Sequence, residues 1–266
     1  MQQARDFLSE SEALEQLIAP LQEADFKQST RFKSWTFETI LRHLHFWNHM
    51  ANLALTSPVD FQAELKPAME AIMAGKTLPE IELLKFPVAD FDLLSLWKSG
   101  FRQLALAYGE TDPVERVAWV GPSMSARSSV TARQMETWAH GQAIADELGV
   151  EREEDDRIRN IVVLGVNTFG WSFKVRDMPI PHEQPFLILT APSGQEWRFG
   201  SSNSQYRIIG LAHEFAQVVT QTRNVGDTQL VCEGEIAELW MRNAQCFAGG
   251  AVKPPEPGER QINKTT

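Results

Sequence analysis

Apolar residues return at helical spacing along most of the first 150 positions. Residues 4–24 place Phe7, Leu8, Leu14, Leu17, Ile18 and Leu21 on one face, with Pro20 marking a kink or an end. After a polar connection, KQSTRFKSWT, a second helix is expected from an N-cap at Thr36, with Glu38 in its first turn. It runs to about Thr56, where Ser57-Pro58 stops it. Residues 61–75 carry a shorter helical pattern closed by Gly75, and residues 78–87 read as a loop or a short helix. Residues 91–108 repeat the period through Phe91, Leu94, Trp97, Phe101, Leu104 and Ala107 and end at Gly109. Residues 111–129, broken by Asp112-Pro113 and Gly121-Pro122, form a long loop. That loop delivers the chain to a helix over 133–148, RQMETWAHGQAIADEL, before which Thr131 and Gln134 have capping-box spacing.

After Gly149 the pattern changes. EREEDDR is a charge run, a solvated linker or a first helical turn, and residues 158–173 read as a fifth helix. Residues 186–191 and 196–199 alternate as strands around Pro192-Ser193-Gly194, a hairpin signal. A strand at 206–209, a helix at 211–222, a strand at 228–232 and an amphipathic helix at 235–247 complete the pattern. The expected fold class is therefore α+β. A four-helix bundle occupies 1–150, a smaller α+β domain 151–252, and an extended or disordered tail, with three prolines, 253–266.

Composition narrows the function classes. A chain of 266 residues with 43% hydrophobic content fills one large domain or two ordinary ones. A net charge of −10 without any basic block argues against a nucleic-acid surface or an anionic membrane partner. Cys232 and Cys246 are too few for a disulfide framework or a thiolate zinc cluster, and both sit in apolar patterns that imply burial. No basic segment followed by an apolar run opens the chain, and no run of apolar residues is long enough to span a membrane. A cytoplasmic protein is the expectation, with no oligomeric state specified. There is no P-loop, dinucleotide fingerprint or Gly-x-Ser-x-Gly elbow.

The chemistry concentrates on two helices. Glu136 and His140 lie four apart and emerge on one helical face, at the edge of the stripe formed by Met135, Trp138, Ala139, Gln142 and Ala145. His43 shares the inward stripe of Ile40, Leu44, Trp47 and Ala51, whereas His45 and His49 fall toward a polar flank. Two readings of these residues stand side by side. Glu136 and His140 could be a surface helical pair and His43 a core histidine, or the three could converge on one divalent ion.

WTFETILRHLHFW resembles the start of the second helix in the mycothiol-dependent maleylpyruvate isomerase group, and METWAHGQAIADELG resembles its partner helix. That group belongs to the DinB-like superfamily of metal-binding four-helix bundles. The resemblance implies His43, Glu136 and His140 as metal ligands. The stretch LAHEFAQVVTQTRNVGDTQLVCEGEIAELWMRNAQCFAGG resembles the small C-terminal domain of a subgroup known only as metal-binding, with a tail related to wyosine-base-formation domains. By resemblance, zinc (with Fe2+ or Ni2+ also compatible) and a low-molecular-weight thiol are the expected cofactors. The expected activity is a thiol-dependent isomerase or S-transferase acting on a small unsaturated acid. A zinc-dependent hydrolase of a small ester or amide and a non-catalytic metal- or ligand-binding protein are the alternatives. Arg207 and Arg223 are candidate contacts for a substrate carboxylate, by charge and by their apolar flanks.

Overall fold

The inward stripes of the long N-terminal helices are buried, as their period requires. In the computed structural model, which describes residues 1–263, α1 (Gln2–Ile18) buries Phe7, Leu14 and Ile18, and α2 (Phe37–Thr56) buries Phe37, Ile40, Leu41, Leu44 and Met50. The α1 helix ends two residues before Pro20. Thr36 caps α2 by accepting the Thr39 N–H at 3.1 Å. Ser57-Pro58 ends that helix and starts α3 (Pro58–Met73), with proline at a position where its missing N–H costs nothing. A Thr77/Glu80 capping box opens α4 (Leu78–Lys85), so the stretch read as loop or short helix is a helix. α5 (Asp90–Glu110) buries Trp97, Phe101, Leu104 and Tyr108. A short hairpin of β1 (Arg116–Val117) and β2 (Met124–Ser125) then leads into α6 (Ala126–Leu148).

α1, α2, α5 and α6 are the four long helices of the bundle, and α3 and α4 are an excursion between α2 and α5. The aromatic side of that excursion packs into a cluster of Phe46, Met50, Phe61 and Leu65 with Trp47, Phe86 and Trp119. Tyr108 of α5 ties three helices together, since its hydroxyl bonds Ser129 Oγ of α6 at 2.8 Å and donates to the Ala51 carbonyl of α2 at 3.4 Å.

One expectation fails at the start of α6. The helix begins at Ala126, seven residues before the expected start, so Thr131 and Gln134 are buried interior positions rather than a cap. Ser125 takes the capping role by accepting the Ser128 N–H at 3.2 Å. Nothing between Ala126 and Arg133 breaks a helix, and polar residues there had masked its continuation.

The chain divides into two compact units, Met1–Ile144 and Ala145–Thr266. The second holds a four-stranded sheet of order β4-β3-β5-β6, formed by β3 (Phe186–Thr190), β4 (Glu196–Phe199), β5 (Arg207–Leu211) and β6 (Val231–Glu233). The two central strands, β3 and β5, run parallel, and the outer pairings are antiparallel. The expected fifth helix is broken at Thr168 into α7 (Arg159–Asn167) and α8 (Phe169–Lys174), where the Thr168 hydroxyl folds back on the Leu164 carbonyl at 2.7 Å. α9 (Ala212–Val219) lies against β3, β5 and α7, and α10 (Glu235–Asn243) against α8 and β6. The α7–α9 approach needs Gly165, because a Cβ there would stand 2.8 Å from Val219 Cγ2.

Residues 253–263 of the expected extended or disordered tail contain no helix or strand. They are fastened by hydrogen bonds from Asn224 Nδ2 to the Pro255 carbonyl, from Arg260 to the Gln221 carbonyl and from the Asn263 N–H to the Asp146 carbonyl. Residues 264–266 of that expectation lie outside the described residues. Among the described residues no helix is long and apolar enough to cross a membrane.

Candidate metal centre

α2 brings His43 and α6 brings Glu136 and His140 to one point in the bundle. One ligand atom from each of the three lies within 4.8 Å of the others. Glu136 Oε2 is 3.2 Å from His140 Nε2 and 3.7 Å from His43 Nε2. These separations bracket the edge, about 3.4 Å, of a tetrahedron drawn with zinc-to-ligand bonds of about 2.1 Å. Both histidines are buried and Glu136 is partly so. Two nitrogens and one carboxylate oxygen in a low-exposure pocket are a donor set suited to a divalent ion.

The neighbours of this cluster are aromatic. Trp35 stacks on the His140 ring at 5.8 Å between centroids with the planes 4° apart, and meets His43 edge-on at 5.1 Å. Phe32 meets His140 edge-on at 5.0 Å, and Trp47 stands 6.3 Å from His43. Phe32 and Trp35 come from the loop before α2, which is pinned by the Thr30 N–H on the Trp35 carbonyl. The same loop passes through left-handed backbone at Lys33 and Ser34, and the Lys33 ammonium lies over both rings.

The charges in the cluster are unequal. Burial opposes a charged His43 ring, but Glu82 and Glu136 outweigh it, and the imidazole is pushed up to about 9. Burial keeps His140 below its ordinary value, aided by the positive charge of His43 and against the hydrogen bond that the ring donates to Glu136. Burial would raise the Glu136 carboxyl, yet its hydrogen bonds to His140 and His43 hold it well below the usual carboxylate range.

A model of the mycothiol maleylpyruvate isomerase N-terminal domain matches residues 7–145, more than half of the chain. The chain belongs to this family. Two uncharacterized proteins from strains of Mycobacterium tuberculosis are 37% identical to it over 254 residues, which cover 95% of this chain and 96% of each relative. The crystal structure of the mycothiol-dependent maleylpyruvate isomerase superposes with a TM-score of 0.52 at 14% identity, over 82% of this chain and 87% of that one. A histidine-to-alanine mutant of that isomerase gives the same TM-score at 13% identity. The helical domain followed by a smaller α+β domain is thus the architecture shared with the isomerase.

The segment matched by the family model contains His43, Glu136 and His140, together with Glu82, Arg133 and Asn48, whose places beside them no local sequence pattern marks. Glu82 of α4 is fully buried, and its Oε1 lies 2.7 Å from His43 Nδ1 and 3.2 Å from Trp47 Nε1. Arg133, one turn before Glu136, is also buried and donates from Nε to Asn48 Oδ1 at 3.0 Å, joining α6 to α2. The Thr77-x-x-Glu80 capping box with Pro79 was a legible signal for α4. Burial of Glu82 had none, because glutamate is rarely buried without a partner and its partner is 39 residues away.

Arg207 and Arg223 belong to the second unit, outside the family segment. Arg207 is exposed on β5, in register with Glu233 of β6. Arg223 is buried and makes a two-pronged ion pair with Asp146, at 2.6 Å for each prong. That bidentate geometry engages its guanidinium within the scaffold. Cys246 is buried, and the half-buried Cys232 thiol is pushed up to about 11, chiefly by burial.

Proposed function

We propose that this chain is a divalent-metal-dependent enzyme of the maleylpyruvate isomerase type. His43, Glu136 and His140 hold the metal, zinc is the metal, and a low-molecular-weight thiol is the co-substrate. The observation that carries this reading is the convergence of two imidazoles and one carboxylate within 4.8 Å. Three protein ligands are the set found in zinc sites that keep a position open for chemistry. Fe2+ or Ni2+ would suit the same donors. When bound, such an ion polarises a carbonyl oxygen and lowers the pKa of a thiol or water toward neutrality.

The chain's own residues favour an anionic partner at that point. Glu136, Glu82 and Arg133 together carry one net negative formal charge with neutral histidines, and a divalent ion converts this to one net positive charge. A thiolate or a carboxylate restores neutrality in a pocket where an uncompensated charge is costly. Phe32, Trp35 and Trp47 offer flat apolar surfaces beside the cluster, suited to a planar unsaturated acid. By analogy with the isomerase named in the family's description, the thiolate would add to one carbon of the double bond as its π pair passes to the conjugated carbonyl, the resulting single bond would rotate, and return of that pair would re-form the double bond and expel the thiolate.

The test is turnover of a maleyl-type cis acid by zinc-loaded protein with and without mycothiol. Isomerisation that requires the thiol and falls by about 100-fold or more in Glu136→Gln is expected. Thiol-independent cleavage of small esters or amides would replace this reading with a hydrolase. Absence of turnover on either substrate class would make the protein a non-catalytic metal binder.

A further inference from the structure

Glu82 reaches from the short α4 into the bundle and presents one oxygen, Oε1, to two ring N–H groups. Trp47 Nε1 can only donate, so Oε1 is an acceptor there, and the shorter contact with His43 is then Nδ1–H donating to the same oxygen. Once the ring gives up its second proton, this fixes the tautomer of neutral His43, with its lone pair on Nε2, the nitrogen on the Glu136 side of the ring. The second oxygen, Oε2, is buried without a hydrogen-bond partner among the described residues. A carboxylate can accept about four hydrogen bonds, so Glu82 is under-satisfied for a fully buried group and its burial is costly.

Fastening α4 to α2 does not require this expense. Arg42 of α2 already holds the chain leaving α4, with Nε on the Phe86 carbonyl at 3.1 Å and Nη2 on the Val88 carbonyl at 2.7 Å. His49 and Lys85 also clamp Glu64 of α3, at 2.9 and 2.8 Å. What Glu82 adds beyond these fasteners is negative charge and a fixed direction for His43, with the Trp47 bond holding its carboxylate plane.

We propose that Glu82 is the positioning residue of the metal centre, a buried carboxylate that orients His43 through Nδ1 and strengthens Nε2 as a metal ligand. The inference rests on the metal reading above and adds a member on α4 to the set from α2 and α6. Outer carboxylates of this kind typically change metal affinity by about 10–100-fold when altered.

The experiment is competition for Zn2+ against a chromophoric chelator, using the full chain, Glu82→Gln, Glu82→Leu and Glu80→Gln. It is run at about pH 9.5, above the value to which the carboxylates push metal-free His43, so that proton competition does not mask the effect. Glu82→Gln keeps an acceptor for both ring N–H groups and loses the charge. It is expected to bind Zn2+ about 10-fold or more weakly with its helical circular dichroism unchanged, and Glu82→Leu more weakly still. Glu80→Gln alters an exposed carboxylate on the same helix, and its affinity is expected to match the unsubstituted chain. Equal affinity in Glu82→Gln and the unsubstituted protein would overturn the inference and leave the metal reading standing. Loss of fold in both Glu82 variants would also overturn it, reducing Glu82 to a structural clip. Failure of the unsubstituted protein to bind Zn2+ would remove the metal reading and this inference together.

Discussion

At His43, burial disfavours a charged ring while Glu82 and Glu136 favour one, and the carboxylates prevail, holding the metal-free imidazole up at about 9. His140, a ring centroid only 4.8 Å away, is pushed the other way. Without metal, the pair therefore carries its proton on His43. A metal must displace that proton to use Nε2, so the sign of the pH dependence is fixed. Below about 9, binding must expel one proton from His43, and each unit of acidification makes that proton tenfold harder to displace. Zinc affinity should rise by about tenfold per pH unit from roughly 7 to 9 and then level. Chelator competition across that range measures it. A curve already flat above about 6.5, the ordinary histidine value, would show that the two carboxylates do not act on His43 as described.

Among the elements, α2 carries the most information about the site. Its N-cap Thr36, its termination at Ser57-Pro58 and the inward face bearing His43 were all legible, because each depends on residues within one or two turns. Thr36→Ala should cost about 1 kcal/mol in a urea or thermal unfolding transition without removing a ligand. A loss well outside the usual range, about 0.5–2 kcal/mol, would mean that Thr36 does more than cap. The i, i+4 pair Glu136 and His140 was legible for the same local reason. The start of α6 was not, since Ala126–Val130 lacks a clear apolar period and Ser125 caps from a position that looked like loop. The break at Thr168 was hidden too, because it is a hydroxyl folding back on the helix rather than a proline or glycine. Glu82, Arg133 and Asn48 were out of reach on different grounds. Their roles follow from pairings 39 and 85 residues apart in sequence, which no local pattern encodes.

On the scale of the whole chain, the family match covers the bundle, and the α+β unit that follows is the part for which the match gives no description. The bundle is where buried charge accumulates. His43, Glu82, Arg133, Glu136 and His140 come from α2, α4 and α6, and a divalent ion would bind the folded arrangement far better than the unfolded chain. Metal should therefore stabilise the protein by about 2.7 kcal/mol at a free concentration 100 times its dissociation constant.

The most direct measurement is the metal content of the untagged protein by elemental mass spectrometry, beside His43→Ala and His140→Ala. About one equivalent of zinc per chain, lost in both variants while their helical circular dichroism persists, is the predicted result. An unsubstituted protein that emerges metal-free and stays so after incubation with zinc would contradict the account. His43, Glu136 and His140 would then be a buried polar network and not a metal centre.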